Sequence, residues 1–303
     1  MNAVLARPAM SFVRSLMLGM GMLDLLAGGL LITSPAALIV WAGWLSPDPA
    51  ALALARWIGG FYATLGIAYL SARNSHQGEF QKAAMEFATL FQLTISMAGC
   101  VATTQADLPR VWELVAGCHL ALAFVQCFLV RDALPKTVVR TWTAMCRQAA
   151  CIFENTKNWA GGITDDFDST TQASLDYARR LVLVLGCSNI VVGTAVIFSP
   201  SPWLTLAGVP MNGTVDVWLL RWAGGFYSAV GAAYLLGLGR GKVGALRVTM
   251  EITGLFQLVT GVLGLAAAKI GVLPSIWTGV ALVHLTIGLI QGWLLFNEDW
   301  ADE

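Results

Sequence analysis

The sequence predicts an all-α, polytopic integral membrane protein: eight transmembrane helices built as two tandem, parallel four-helix repeats. Three observations predict it. The 303 residues are 57% hydrophobic and only 12% charged, with a mean hydropathy of +0.68, which leaves too little polar surface to clothe a soluble globule. Eight apolar stretches have the roughly 20 residues that a hydrocarbon core of about 30 Å demands of a helix. Finally, the chain repeats itself, with "RWIGGFYATLGIAYL" beginning at Arg56 and "RWAGGFYSAVGAAYL" at Arg221, 165 residues later.

The expected spans, in order, are Leu16–Ile32, Ala51–Leu70, Ala84–Val101, Val111–Val130, Leu181–Phe198, Val217–Leu236, Val248–Ala268 and Ile276–Phe296. They are too long and too uniformly apolar for barrel strands, so backbone satisfaction away from water requires helices. The offset that relates the two arginine phrases also pairs Ser34-Pro35 with Ser199-Pro200, Met85-Glu86 with Met250-Glu251, and Leu90-Phe91-Gln92 with Leu255-Phe256-Gln257. It further pairs Trp112, His119 and Gln126 with Trp277, His284 and Gln291. A gapless match of this length reads as duplication of a four-helix unit. Four spans return the chain to its starting side, so the copies share one orientation about an axis along the membrane normal. The expected organisation is a first repeat over 1–131, a connecting segment over 132–180 and a second repeat over 181–303.

Fourteen of the 18 Lys and Arg fall at one end of the spans, in the N-terminus, the second-to-third and sixth-to-seventh loops and the central segment. By the positive-inside rule that end is cytoplasmic, with both termini inside. The basic-then-apolar start imitates a signal peptide, but Leu16–Pro35 is the counterpart of Leu181–Pro200 and is expected to be retained as a helix. Within the central segment, "TVVRTWTAMCRQAACIFENTKNW" (137–159) sets Val139, Trp142, Met145 and Phe153 near one face, as a helix lying on the cytoplasmic surface would. "GGITDDFDSTTQ" then reads as a turn-rich acidic linker.

Chemistry-bearing motifs are sparse. The six cysteines form no C-x-x-C pair and no zinc spacing. There is no P-loop, dinucleotide glycine motif, nucleophile elbow or H-E-x-x-H. A neutral chain without a basic patch is not a nucleic-acid binder. Polar residues inside the spans therefore carry the functional signal, because embedded charge is costly. In the outer half they are Asp24, Arg56, Tyr62 and His119 of the first copy, and Asn189, Arg221, Tyr227 and His284 of the second. Asp24 is the expected counter-charge of Arg56. Arg221, facing Asn189 instead, needs another acceptor: a carbonyl at a helix end, a carboxylate of the other half, or a bound anion. An inner polar set comprises Glu86, Gln126, Glu251 and Gln291, with Tyr69 and Tyr234 at the ends of their helices.

On the fourth span Trp112, Ala116, His119, Ala123 and Gln126 make one stripe, repeated on the eighth by Trp277, Ala281, His284, Gly288 and Gln291. Small neighbours leave His119 and His284 room to ligate a haem or chlorophyll metal through neutral imidazole. The structural alternative is a hydrogen bond from each histidine to a neighbouring helix. No catalytic residue or metal set converges.

The arginine followed by a Gly-Gly pair in the second helix of a short-looped four-helix unit, as in "RWIGGFYATLG" and "RWAGGFYSAVG", resembles the DoxX-like group of small bacterial membrane proteins. The resemblance implies a multi-pass protein of the bacterial inner membrane tied to redox or quinone-linked complexes, and carries over no catalytic residue. The duplication and the long central segment depart from the single unit of that group.

Three function classes fit. The first is a non-enzymatic membrane subunit of a respiratory or photosynthetic assembly, supported by 12 Trp and many small-residue faces that could pack pigments or other membrane subunits, or self-associate. The second is a transporter or binding protein for a small or lipophilic solute, supported by the duplicated helices and the Asp24–Arg56–His119 group. An enzyme acting on a lipid or quinone is the third. The topology makes a first testable statement: in a cysteine-accessibility assay, Asp299→Cys and Asp107→Cys are labelled from opposite sides of the membrane, and labelling from the same side contradicts the eight-span arrangement.

Overall fold

A computed structural model of the chain describes residues 10–43, 48–74, 78–105, 110–130, 143, 170–206, 214–240, 243–271, 274 and 276–296. Among these residues the regular structure is helical throughout. In order the helices are α1 (Met10–Thr33), α2 (Pro35–Trp41), α3 (Pro49–Asn74), α4 (Gly78–Gln105) and α5 (Arg110–Val130), then α6 (Thr170–Phe198), α7 (Pro200–Leu206), α8 (Thr214–Gly239), α9 (Val243–Lys269) and α10 (Ile276–Phe296). The surface helix expected over 137–159 and most of the connecting segment lie outside the described residues, and α6 already begins at Thr170, ahead of Leu181.

Local sequence sets the helix ends. Ser34-Pro35 and Ser199-Pro200 break the first and fifth spans, because proline has no N–H to continue the ladder, and each then starts a short helix as its first residue. Asp48 opens α3 by accepting from the Ala51 amide at 2.8 Å, with Pro49 in the first turn. Gly43, at φ 98°, supplies the left-handed residue that closes off α2.

Seven of these helices are long and apolar enough to cross a membrane, namely α1, α3, α4, α5, α6, α9 and α10, which makes this a multi-pass membrane protein in contact with lipid. The eighth expected span lies in α8 and is less apolar. Its placement explains the composition: α8 runs against α3, α4, α6 and α9, so Trp218, Trp222, Gly224, Gly225 and Ser228 are buried in protein, where a helix has no need of aliphatic side chains.

The packing does not keep the two halves of the sequence apart. α1 lies along α3, α4 along α5, α6 along α8, and α9 along α10. Yet α4 packs more extensively on α8 than on α3, and α9 more extensively on α3 than on α8. Four central helices, α3, α4, α8 and α9, therefore form the core, with α1, α5, α6 and α10 around it.

Polar contacts join the halves at both ends of this core. At one end Arg240 Nη2 lies 2.6 Å from Glu86 Oε2, with the Glu86 side chain only 1% exposed. The counterpart Glu251 pairs instead with Arg247 on its own helix, in an exposed i,i+4 bridge of 3.0 Å worth little. At the other end Asp216, in the first turn of α8 ahead of the expected span, faces Asp48 at the start of α3. Burial, then the charge and hydrogen bonding of Asp48, push the Asp216 carboxyl up to about 7. Because the folded chain holds this proton to higher pH than the unfolded chain, Asp216 lowers stability as pH rises from 3.8 to about 7. Thermal unfolding of Asp216→Asn should match the parent near pH 4 and occur at higher temperature than the parent at pH 8; equal melting at pH 8 refutes the buried carboxyl pair.

Candidate functional site

The repeated phrase resolves residue by residue into contacts that build the centre of the molecule. Arg56 Nε donates to Ile32 O at 3.3 Å and Arg221 Nε to Ile197 O at 3.1 Å. The expected Asp24–Arg56 ion pair is not formed. The reason lies in the Ser-Pro break: at the end of a helix the last carbonyls have no intrahelical N–H, so a cation beside them completes their hydrogen bonding. Asp24 is two turns away, about 12 Å along α1. Arg221 thus finds one of its expected acceptors, a helix-end carbonyl, and Arg56 uses the same one.

The tryptophan after each arginine crosses to the other half. Trp57 meets Tyr227, Trp277 and His284, with ring centroids 6.0, 5.1 and 6.4 Å away. Trp222 meets Tyr62, Trp112 and His119 at 6.1, 5.4 and 6.2 Å. The first glycine of each pair lets two helices of one half touch. A Cβ on Gly59 would lie 2.8 Å from Gly28 O, and one on Gly224 2.8 Å from Gly193 O. The second glycine admits the other half, Gly60 against Val259 and Leu263 and Gly225 against Thr94 and Ile95. Phe61 and Phe226 then meet at 4.6 Å in a tilted pair, Phe61 stacks on Phe256 at 4.8 Å and Phe226 meets Phe91, also tilted, at 4.4 Å.

The tyrosine ending each phrase begins a hydrogen-bonded relay. Tyr62 on α3 bonds His119 Nε2 on α5 at 3.1 Å, and His119 Nδ1 bonds Gln92 Oε1 on α4. In the second half Tyr227 bonds His284 Nε2 at 2.7 Å, and His284 Nδ1 bonds Gln257 Oε1. An amide oxygen only accepts, so Nδ1 carries the proton and Nε2 is the acceptor for the tyrosine hydroxyl. Deeper in the bundle Gln126 Nε2 donates to the Tyr69 hydroxyl at 2.7 Å. There Tyr234 donates to Gln291 Oε1 at 3.2 Å, while Gln291 Nε2 donates to Thr253 at 3.1 Å. Both nitrogens of each imidazole are engaged, so His119 and His284 do not fit the axial-ligand role; a haem or chlorophyll metal would have to displace a tyrosine.

The structure thus gathers Tyr62 with His119 and Tyr227 with His284, and adds Gln92 and Gln257, which the sequence reading noticed as repeated but did not assign. Their signal was the shared offset together with burial-prone neighbours. It separates the inner polar set, Gln126 and Gln291 joining the tyrosines, Glu86 and Glu251 turning to arginines. It leaves Asp24 buried on α1, 6% exposed.

Asn189, at the position corresponding to Asp24, faces a cavity of about 400 Å³ between α6, α7, α8 and α10. Trp57, Trp203 and Trp277 supply aromatic wall, and Tyr227, Gln257 and His284 supply polar floor. Among the described residues no ionisable acidic or basic side chain other than His284 and Tyr227 lines it. The cavity lies where α6 and α10 scarcely touch, and the lining residues Leu206, Ile276 and Val283 are exposed at its edge.

Since Arg56 caps a carbonyl rather than neutralising Asp24, Arg56→Gln and Asp24→Asn should lower stability independently. In a thermal-unfolding double-mutant cycle their losses add within about 0.5 kcal/mol, whereas a coupling well beyond that value restores the ion pair.

Compared with protein-family models, curated proteins and solved structures, the chain matches none.

Proposed function

We propose that this membrane protein binds a neutral, lipophilic small molecule in the cavity of its second half. The polar head accepts from the Asn189 amide beside the Tyr227–His284 pair, and the tail leaves between α6 and α10. The cavity itself carries this reading: about 400 Å³ of apolar, tryptophan-lined space with a few convergent polar groups is the form that small-molecule sites take. Among the described residues its wall carries no formal charge, which favours a neutral ligand, since a carboxylate or ammonium group would lose its hydration without a counter-charge. Flat aromatic walls favour a ring-bearing head, which makes a quinone a fitting member of the class. The resemblance of "RWIGGFYATLG" to DoxX-like proteins, associated with quinone-linked complexes, agrees with that choice.

The same proposal places the protein in a bacterial inner membrane with both termini cytoplasmic, as a tandem duplication with eight spans. In its favour, α3 and α8 have bounds offset by the same 165 residues as the arginines, as do α2 and α7. Both Tyr–His pairs also span 57 residues. A place within a larger complex is compatible with ligand binding.

The test uses the full chain in lipid nanodiscs, with decylubiquinone as probe and a long-chain fatty acid as charged control. Saturable quenching of tryptophan fluorescence by the quinone and not by the acid is expected. Asn189→Leu should weaken binding about 3- to 10-fold, the worth of one hydrogen bond. Val283→Trp, which narrows the mouth, should abolish it without lowering the melting temperature. Equal quenching of the parent and Val283→Trp by the quinone overturns the proposal.

A further inference from the structure

Within the first helix of each half, the buried Asp24 on α1 corresponds to the uncharged Asn189 on α6. Asp24 sits where α1 and α3 approach most closely, flanked by Gly21 and Gly28. A Cβ on either would meet the α3 backbone, 3.1 Å from Gly66 O and 2.6 Å from Gly59 O. This contact presses the carboxyl onto α3, leaving it 6% exposed with Oδ2 lacking any hydrogen-bond partner.

The charges available to it are few. α1 is packed by α3 and α2. From α3 the ionisable groups are Arg56, Tyr62, Tyr69 and Arg73, and α2 contributes none. Arg56 is engaged by Ile32 O, and Arg73 occupies the last turn of α3, bonded to Asn74. On α1 itself Arg14 is about 15 Å away along the helix. Tyr62 and Tyr69 are the remaining titratable groups of α3.

Those tyrosines behave differently in the two halves. Tyr234, beside Asn189's helix, spends its hydrogen on Gln291 Oε1. Tyr69 instead accepts from Gln126 Nε2.

We propose that Asp24 is a proton-binding site inside the transmembrane bundle, carried as a neutral carboxylic acid and exchanging a single proton where α1 packs on α3. A carboxylate with no cation beside it in an apolar helix–helix contact is held in its uncharged form by the cost of desolvation. Asn189 marks the half in which the proton site is absent and the neutral cavity is present. The proposal stands on the α1–α3 contact and is independent of what the cavity binds.

Dicyclohexylcarbodiimide reports on such a group. It reacts with a protonated carboxyl in apolar surroundings: the acid proton passes to one carbodiimide nitrogen while a carboxyl oxygen bonds the central carbon, and acyl transfer to nitrogen gives a stable adduct. With the full chain in nanodiscs, mass spectrometry of the α1 peptide should find the adduct on Asp24. Labelling should fall about tenfold per pH unit once the acid is mostly ionised, and be absent in Asp24→Asn. That variant is expected to fold, because the second half carries asparagine at the corresponding place. Labelling should be the same in sodium and potassium salts and unchanged in Arg56→Gln. An unlabelled Asp24 at every pH overturns the proposal. Protection by sodium alone overturns it in favour of a metal-cation site, and a strong gain of labelling in Arg56→Gln overturns it in favour of an ion pair.

Discussion

The close approach of α3 and α8 to everything around them is the constraint on which the structure depends. α3 has one face of glycine against α1 and another against α9, and α8 has one against α6 and another against α4. Gly59 and Gly224 serve the first purpose, Gly60 and Gly225 the second. In a bilayer, association gains little from the hydrophobic effect between helices, because lipid tails are as apolar as side chains; van der Waals contact and hydrogen bonds must hold the bundle. Small residues make such contact possible, and the Phe61–Phe226 pair fills the seam where the two helices meet.

Once α3 and α8 are fixed, the polar chemistry follows. Each tyrosine projects to the fourth span of its own half, each tryptophan to the tyrosine–histidine pair of the other. Each relay is therefore walled by the opposite half, and neither half could complete its site alone. The tautomer is set in the same way, by a glutamine on the third span that accepts from Nδ1 and leaves Nε2 toward the tyrosine. In this respect the second half has an additional feature, the cavity into which Tyr227 and His284 face, while the first has the buried carboxyl of Asp24.

The arginines show why an embedded charge need not seek a carboxylate. A guanidinium carries five N–H donors, and a helix broken by Ser-Pro ends in carbonyls without donors. Pairing the two solves both problems locally, and does so identically whether the neighbouring helix bears Asp24 or Asn189. The buried Glu86 finds its cation across the halves instead, in Arg240.

What the sequence by itself determined is everything that depends on composition and period. The helical membrane class follows from hydropathy and length, the helix breaks from Ser34-Pro35 and Ser199-Pro200, and the correspondence between Tyr62–His119 and Tyr227–His284 from the 165-residue offset. Tertiary structure alone decided which helix meets which. The pairing of Asp24 with Arg56 looked natural because both are charged and lie on adjacent spans, but a register difference of about 12 Å along α1 separates them, and sequence does not state the relative height of neighbouring helices. Likewise α8 carries too much glycine and tryptophan to resemble a lipid-facing span, and only its central place explains why. Glu86 and Glu251 occupy matching positions, yet one is buried on Arg240 and the other exposed on Arg247, because Arg240 stands where the first half has Ser75. Contacts between halves are made by residues far apart in the chain, at distances and angles fixed by backbone packing, so no pattern within a single span can encode them.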